Sequence, residues 1–191
     1  MSSKSASRKG PLIAVYGSSS AGPQDVAYQQ AETLGAELAR AGARVMNGGY
    51  GGVMEACSRG AAEAGGHVIG VTVESYARRG GPNRWVAERE RTRDLFERLG
   101  VLVGKADGFV AVGASLGTLT EVFLAWTLLA TGAREEAPLV LLGSEWPALI
   151  EAHRRSGAID SRLFGWLQLT QSPREAAQRA LADSPPIGDR T

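Results

Sequence analysis

The 191-residue chain contains one cysteine and three lysines, and each scarcity excludes a class of function. A lone cysteine, Cys57, rules out an intrachain disulfide, and it predicts a reducing compartment such as the cytoplasm. Its helical surroundings indicate a small buried hydrophobe rather than a reactive thiol. Two lysines, Lys4 and Lys9, lie in a polar N-terminal segment, and Lys105 precedes a predicted strand. No lysine is therefore placed to form the Schiff base of a pyridoxal phosphate enzyme.

Metal, dinucleotide and membrane functions are excluded on similar grounds. The two histidines, His67 and His153, are far apart and have no metal-ligand spacing, so we predict no metal site. The chain has neither a G-x-G-x-x-G fingerprint after its first strand nor a G-x-x-x-x-G-K-[ST] loop. No apolar run reaches membrane-spanning length, and a net charge of +1 gives no indication of nucleic-acid binding.

Apolar strands alternate with helical patterns along the whole chain. The predicted strands are continuous apolar runs, which is typical of parallel strands buried on both faces. We therefore predict an α/β fold, a Rossmann-like doubly wound parallel sheet with helices on both faces in a single domain. Six strands are predicted, at 12–17, 43–49, 67–73, 108–113, 137–143 and 166–170. The arginine-rich stretch 74–91 is predicted to be irregular.

The ends of the chain differ in composition from the predicted domain. Residues 1–10 are small and polar, and we predict that they form a flexible N-terminal tail. Residues 184–191 are predicted to form a C-terminal tail. The nucleotide-binding domain is therefore expected to cover residues 11–183.

Glycine is over-represented, with 25 residues, and the surplus gathers where strands end. Three strand-to-helix turns consist of small residues: "GSSSAG" (17–22), "NGGYGG" (47–52) and "GASLGT" (113–118). Small residues let backbone N–H groups approach a ligand, and each turn leads into a helix N-terminus that favours an anion. Because the carboxyl ends of parallel strands share one edge, three such turns predict a phosphate-bearing ligand there.

Arg98 lies within an apolar helical pattern. It follows Leu95 by three residues and precedes Leu102 by four, so it projects near the apolar face of the helix. Arginine is rarely buried without a partner. The alternative is that Arg98 lies along the surface with its head group in water.

Glu121 has two compatible interpretations. Thr118 to Glu121 fits the capping box S/T-x-x-E, in which the glutamate bonds back to the N-cap amide. A carboxylate in the first helical turn, beside a phosphate-holding turn, also suits chemistry that develops positive charge on a sugar.

Several stretches resemble the LONELY GUY family of cytokinin-activating nucleoside 5'-monophosphate phosphoribohydrolases, often mislabelled lysine decarboxylases. The segments "VYGSSSAG" and "NGGYGGVMEACSRGAAEAGGHVIGV" resemble the family's first two turns and the elements around them. The segment "LFERLGVLVGKADGFVAVGASLGTLTE" is similar to its paired signature, E-R-K followed by P-G-G-x-G-T-x-x-E, with the spacing kept. The resemblance covers nearly the whole predicted domain.

This resemblance implies a Rossmann-like fold, a catalytic pair of Arg98 and Glu121, and no metal or other cofactor. It also implies an AMP-like nucleoside monophosphate as ligand and a homodimer or higher homo-oligomer, which the apolar residues on several faces of the helices also favour. The substrate- and phosphate-binding residues expected from the turns are Ser18, Ser19, Gly48, Gly49, Gly113, Ser115, Gly117 and Thr118.

The chain departs from the family signature at two places. Leu99 replaces the lysine of E-R-K, and Gly113, Ala114 and Ser115 replace Pro-Gly-Gly. Two functions are therefore kept: hydrolysis of the N-glycosidic bond of a nucleoside monophosphate, and binding of a nucleotide or phosphorylated cofactor without cleavage, as a carrier or sensor.

Overall fold

A computed structural model describes residues 10–74 and 81–182 of the chain. Both predicted tails, apart from Gly10, and residues 75–80 of the arginine-rich stretch lie outside the described residues.

The described residues contain one parallel sheet of seven strands. In space the strands follow the order β4-β3-β2-β1-β5-β6-β7, and every neighbouring pair is parallel. The strands are β1 (Leu12–Gly17), β2 (Arg44–Asn47), β3 (Val68–Val73), β4 (Glu88–Thr92), β5 (Gly108–Val112), β6 (Leu139–Leu142) and β7 (Leu167–Thr170). The prediction of a doubly wound parallel sheet is thereby confirmed.

Helices cover both faces of this sheet. They are α1 (Val26–Arg40), α2 (Val53–Glu63), α3 (Leu95–Gly104), α4 (Leu116–Ala130), α5 (Trp146–Ser156) and α6 (Pro173–Ala180). Helices α1, α2 and α6 pack on one face, and α3, α4 and α5 pack on the other. Residues of β1 alternate between the two layers, because Ile13 and Val15 point into the first and Ala14 and Tyr16 into the second.

Strand β4 lies where the sequence predicts an irregular segment. Its sequence, ERERT, contains no apolar residue, and only Thr92 is buried. The strand lies at the edge of the sheet, where charged side chains hinder pairing with other chains. Hydrophobic periodicity therefore cannot detect it. A short 3-10 helix, Ser161–Trp166, was also not predicted. Because it includes Trp166, strand β7 begins one residue later than the predicted strand at 166–170.

The strand order reverses between β1 and β5. From β1 the chain proceeds through β2 and β3 to β4 on one side, and β5 then begins the other side. Crevices at such a reversal, beyond the carboxyl ends of the strands, are the usual ligand sites of open α/β sheets. Within the described residues, the helices fall short of the length and hydropathy that a membrane span requires.

Candidate active site

Arg98 lies on α3 and turns inward beneath the turn that follows β2. The helix begins after Asp94, whose carboxylate accepts the N–H of Glu97 at 2.9 Å. Only 9% of Arg98 is exposed, which excludes the alternative of a head group in water. Its Nε donates to the carbonyl oxygen of Val71 at 3.1 Å, and its guanidinium carbon lies 5.9 Å from the centre of the Tyr50 ring.

Gly48 makes room for this guanidinium. A Cβ at Gly48 would lie 1.9 Å from Nη2 of Arg98 and 2.7 Å from the sulfur of Met54. No side chain fits at this position unless Arg98 moves. The glycine after β2 therefore serves the approach of the arginine.

Helix α4 begins before Thr118, the N-cap that the capping-box interpretation implies. Ser115 is the N-cap, and its hydroxyl accepts the N–H of Thr118, so Leu116 is the first helical residue. The predicted capping box between Thr118 and Glu121 is thus wrong, because Thr118 lies inside the first turn. Glu121 belongs to the second turn, where its side chain points into the protein instead of back to the cap.

Glu121 and Arg98 meet between α3 and α4. Oε1 of Glu121 lies 3.7 Å from Nη1 of Arg98, and each side chain is 10% exposed. Burial raises the pKa of Glu121 from 4.5 to about 7, although the positive charge of Arg98 opposes the shift. The carboxyl group is consequently poised to exchange a proton near neutral pH.

The N-terminus of α4 presents donors at the same edge of the sheet. The first N–H groups of a helix have no carbonyl partner within it, and here Leu116 and Gly117 are exposed. A Cβ at Gly117 would meet nothing within 4 Å. Thr118 is buried, and its hydroxyl lies 2.9 Å from that of Ser115. Gly113, with φ of +70°, turns the chain from β5 toward this helix.

The first two glycine-rich turns pack against each other. The N–H of Val53 donates to the carbonyl oxygen of Ser18 at 2.9 Å. At Gly52, where φ is +67°, a Cβ would lie 2.2 Å from the same oxygen. Ser19 is exposed and Ser18 is half-buried. These contacts bring Ser18 and Ser19 beside the start of α2.

The N–H of Gly49 is already used inside the second turn, since it donates to Oδ1 of Asn47 at 2.8 Å. The side-chain amide of Asn47 in turn donates to the carbonyl oxygen of Met54 and to the hydroxyl of Ser58. Of the two predicted glycines of this turn, Gly48 therefore contacts Arg98, and Gly49 is held by Asn47.

Asn83 and Tyr50, which sequence reasoning did not select, brace the same turn. Asn83 lies beyond the undescribed segment, and its backbone N–H donates to the carbonyl oxygen of Gly49 at 2.7 Å. Its side-chain amide donates to the carbonyl oxygen of Tyr50 at 2.9 Å. The Tyr50 hydroxyl accepts the N–H of Val73 at 3.0 Å. No sequence signal indicates these roles, because the contacts join segments that are distant in the chain.

Glu145, at the N-cap of α5, is a second acidic group at this edge. One of its carboxylate oxygens lies 3.2 Å from the position that a Cβ at Gly113 would take, and the other lies 2.6 Å from the position that a Cβ at Gly143 would take.

The site as a whole offers helix N–H groups for one anion and a buried carboxyl group that titrates near pH 7. In residues 10–74 and 81–182, no group of three or more His, Cys, Asp and Glu is placed to bind a metal ion.

Two curated relatives are each similar to about two thirds of this chain. A probable cytokinin riboside 5'-monophosphate phosphoribohydrolase from Oryza sativa subsp. japonica is 32% identical over 125 residues. The match covers 64% of this chain and 55% of the rice protein, so the chain spans about half of that relative. A cytokinin riboside 5'-monophosphate phosphoribohydrolase from Mycobacterium tuberculosis is 28% identical over 130 residues, covering 68% of this chain and 69% of the relative.

A solved structure is similar over a longer region. The molybdenum cofactor binding protein from the phototrophic bacterium Rippkaea orientalis superposes with a TM-score of 0.71 at 26% identity. The superposition covers 90% of this chain and 96% of the other.

The sequence profile of the SLOG cluster4 family matches residues 11–156, which include every element of the site described above. The resemblance found in the sequence is confirmed by this match and by the relatives named as phosphoribohydrolases. The chain therefore belongs to the SLOG cluster4 family, as a divergent relative of the LONELY GUY proteins.

Proposed function

We propose that this protein hydrolyses the N-glycosidic bond of a nucleoside 5'-monophosphate. Water attacks the anomeric carbon, the bond to the base breaks, and the products are the free base and ribose 5-phosphate. The observation that carries this proposal is the buried pair of Arg98 and Glu121, in which the carboxyl group has a pKa of about 7. The names of the relatives from rice and M. tuberculosis support the same reaction.

Glu121 is proposed to be the reacting carboxylate. In its ionised form it stabilises positive charge that develops on the sugar, or it orients the attacking water. Arg98 compensates its charge and contacts the nucleotide. Because Arg98 is held by Val71 and fitted against Gly48, the guanidinium needs little rearrangement to keep this place.

The 5'-phosphate is proposed to bind at the N-terminus of α4. Leu116 and Gly117 offer N–H groups without carbonyl partners, and Ser115 and Thr118 offer hydroxyls. Glu121 lies five residues after Leu116 on the same helix, at an axial distance of about 8 Å from it. One ligand can therefore reach both the helix start and the carboxylate. The turn that carries Ser18 and Ser19 is proposed to face the same ligand.

A second candidate function is binding without cleavage. The molybdenum cofactor binding protein of R. orientalis shares the fold over nearly its whole length, whereas the curated phosphoribohydrolases match shorter regions. The replacement of Pro-Gly-Gly by Gly113, Ala114 and Ser115 also favours this alternative. In that case the helix start still binds a phosphate, and Glu121 does not react.

A homodimer or a larger homo-oligomer is proposed as the assembly. Phe96 is 85% exposed and Leu116 is 82% exposed, and both lie at the N-termini of the helices that carry the charged pair. Apolar side chains of this size gain free energy when a second copy covers them.

The decisive experiment is incubation with a panel of nucleoside monophosphates and an assay for free base and ribose 5-phosphate. Release of base that Glu121→Gln abolishes is the expected result. Tight binding of a monophosphate without release of base, by protein of verified fold, would instead establish the binding function.

A further inference from the structure

Tyr16 carries a hydroxyl that packing alone does not explain. It is the residue before Gly17 at the end of β1, it points toward α3 and α4, and it is 1% exposed. Its ring stacks on Phe109 of β5 with centroids 5.9 Å apart and planes 22° apart. A phenylalanine would make the same stacking contact.

The hydroxyl of Tyr16 has no hydrogen-bond partner among the described residues. Burying an unpaired hydroxyl costs free energy, and an apolar side chain of the same shape would avoid that cost. Nearly all buried polar groups in folded proteins are paired, so an unpaired one requires an explanation.

Tyr16 packs in the same core layer as Val122, the neighbour of Glu121 on α4. Three charged groups act on the Tyr16 hydroxyl electrostatically. They are Glu121 from α4, Arg98 from α3, and Arg134 from the segment after α4. Burial, together with the negative charge of Glu121, raises the pKa of Tyr16 well above 10. The hydroxyl is consequently protonated at every physiological pH, and it can act as a donor.

Both arginines are already anchored by backbone carbonyls. Arg134 donates to Val103 at 2.6 Å and to Ala106 at 2.9 Å, and Arg98 donates to Val71 at 3.1 Å. The distance of 3.7 Å between Arg98 and Glu121 exceeds that of a good hydrogen bond. Glu121 is therefore the acceptor that still needs a close donor when it is ionised, and Tyr16 is a buried donor without an acceptor.

We propose that Tyr16 is a positioning residue, whose hydroxyl donates a hydrogen bond to the ionised carboxylate of Glu121 and so fixes its orientation. The proton stays on Tyr16, and the bond is stronger while Glu121 is charged, because a carboxylate is a better acceptor than a protonated carboxyl group. That Glu121 is the reacting group rests on the function proposed above, whereas the hydrogen bond itself does not.

The test uses Tyr16→Phe in the full chain, without substrate. A donor to the charged form lowers the pKa of a carboxyl group, so its loss should raise the pKa of Glu121 by about one unit. Carbon-13 NMR titration of the glutamate carboxyl groups measures this shift, with Glu121→Gln to assign the signal. An unchanged titration of Glu121 in Tyr16→Phe would overturn the proposal.

Thermal unfolding gives a second readout, which a merely structural hydroxyl would not produce. Tyr16→Phe should be less stable than the parent protein at about pH 8.5, where Glu121 is charged, and equally or more stable at about pH 5. Tyr28→Phe, a buried tyrosine of the opposite layer, is the control and should show no such change with pH. The same stability difference for Tyr16→Phe at both pH values would contradict the hydrogen bond.

Failure of this proposal and failure of the hydrolase can be told apart. If Tyr16→Phe shifts the titration but no nucleotide is cleaved, the hydrogen bond stands in a binding protein. If the parent protein cleaves nucleotides and the titration does not move, the hydrolase stands without this role for Tyr16. If the parent protein cleaves nucleotides and Tyr16→Phe shifts the titration of Glu121, the pH at which kcat/KM rises should be higher in Tyr16→Phe by the same shift.

Discussion

Arg98 and Glu121 approach to 3.7 Å between α3 and α4, with nine tenths of each side chain buried. Taking two charges out of water is costly, and the pair is weak evidence for stability. It is better understood as a functional arrangement, since burial brings the pKa of Glu121 to about 7.

Glu121→Gln should reduce turnover of a nucleoside monophosphate by at least about 100-fold while the protein stays folded. The amide keeps the shape of the carboxylate but cannot stabilise positive charge on the sugar. Circular dichroism and a free-base assay measure the two properties. Glu151→Gln, at an exposed position of α5, is the control and should keep full activity. Full turnover by Glu121→Gln would remove the glutamate from the mechanism.

The contribution of Glu121 to the free energy of unfolding should fall as pH rises from about 4.5 to about 7. The raised pKa of Glu121 means that the folded protein holds a proton that the unfolded chain has released in this window. The effect of this one group amounts to at most about 3 kcal/mol. Glu121→Gln lacks the group, so the stability of the variant relative to the parent should rise across the same window. Denaturant unfolding at a series of pH values measures the free energy of unfolding of both proteins. A constant difference between parent and variant across this window would contradict the raised pKa.

Gly48→Ala should impair function more than folding. The new Cβ would lie 1.9 Å from Nη2 of Arg98, and a flexible side-chain end can move away from it at small cost. That movement separates the guanidinium from Glu121. We expect a loss of turnover of about tenfold or more with a small change in Tm.

Gly51→Ala is the control for this change. It lies in the same turn, and its Cβ would meet only ordinary contacts, at 3.6 Å or more. Equal activities of the Gly48 and Gly51 variants would show that the position of Arg98 does not matter.

Leu116→Pro should weaken binding of AMP several-fold. Leu116 is the first residue of α4, a position where proline fits the helix and removes only an N–H that has no helical partner. Leu116→Ala loses the same side chain but keeps this N–H, so it serves as the control. Isothermal titration with AMP compares them. Equal affinities of the two variants would contradict a phosphate bound by the N–H of Leu116.

Phe96→Glu should convert an oligomer into a monomer. Phe96 is 85% exposed on α3, and a charge there would have to be desolvated in an interface. Light scattering coupled to gel filtration measures the mass. Val26→Glu is the control. It places the same charge at an exposed position of α1, in the opposite layer, and should leave the assembly intact. A monomeric parent protein at micromolar concentration would refute the proposed assembly.

The α/β class and six of the seven strands can be predicted from the amino-acid pattern alone. Strands buried on both faces must be apolar throughout, and this requirement is visible in one dimension. Strand β4 could not be found in this way, because an edge strand with charged side chains satisfies no such requirement. Helical spacing likewise placed Arg98 near the apolar face of α3, since periodicity is a local property.

The pairing of Arg98 with Glu121 follows from tertiary contacts that the amino-acid pattern does not reveal. The motif near Glu121 matched a capping box, but Ser115 caps α4 and leaves Glu121 to be buried against another helix. Its pKa follows from that burial, which depends on contacts between segments far apart in the chain. The unpaired hydroxyl of Tyr16 is of the same kind: the sequence shows a tyrosine in a buried strand, and packing determines what lies opposite it.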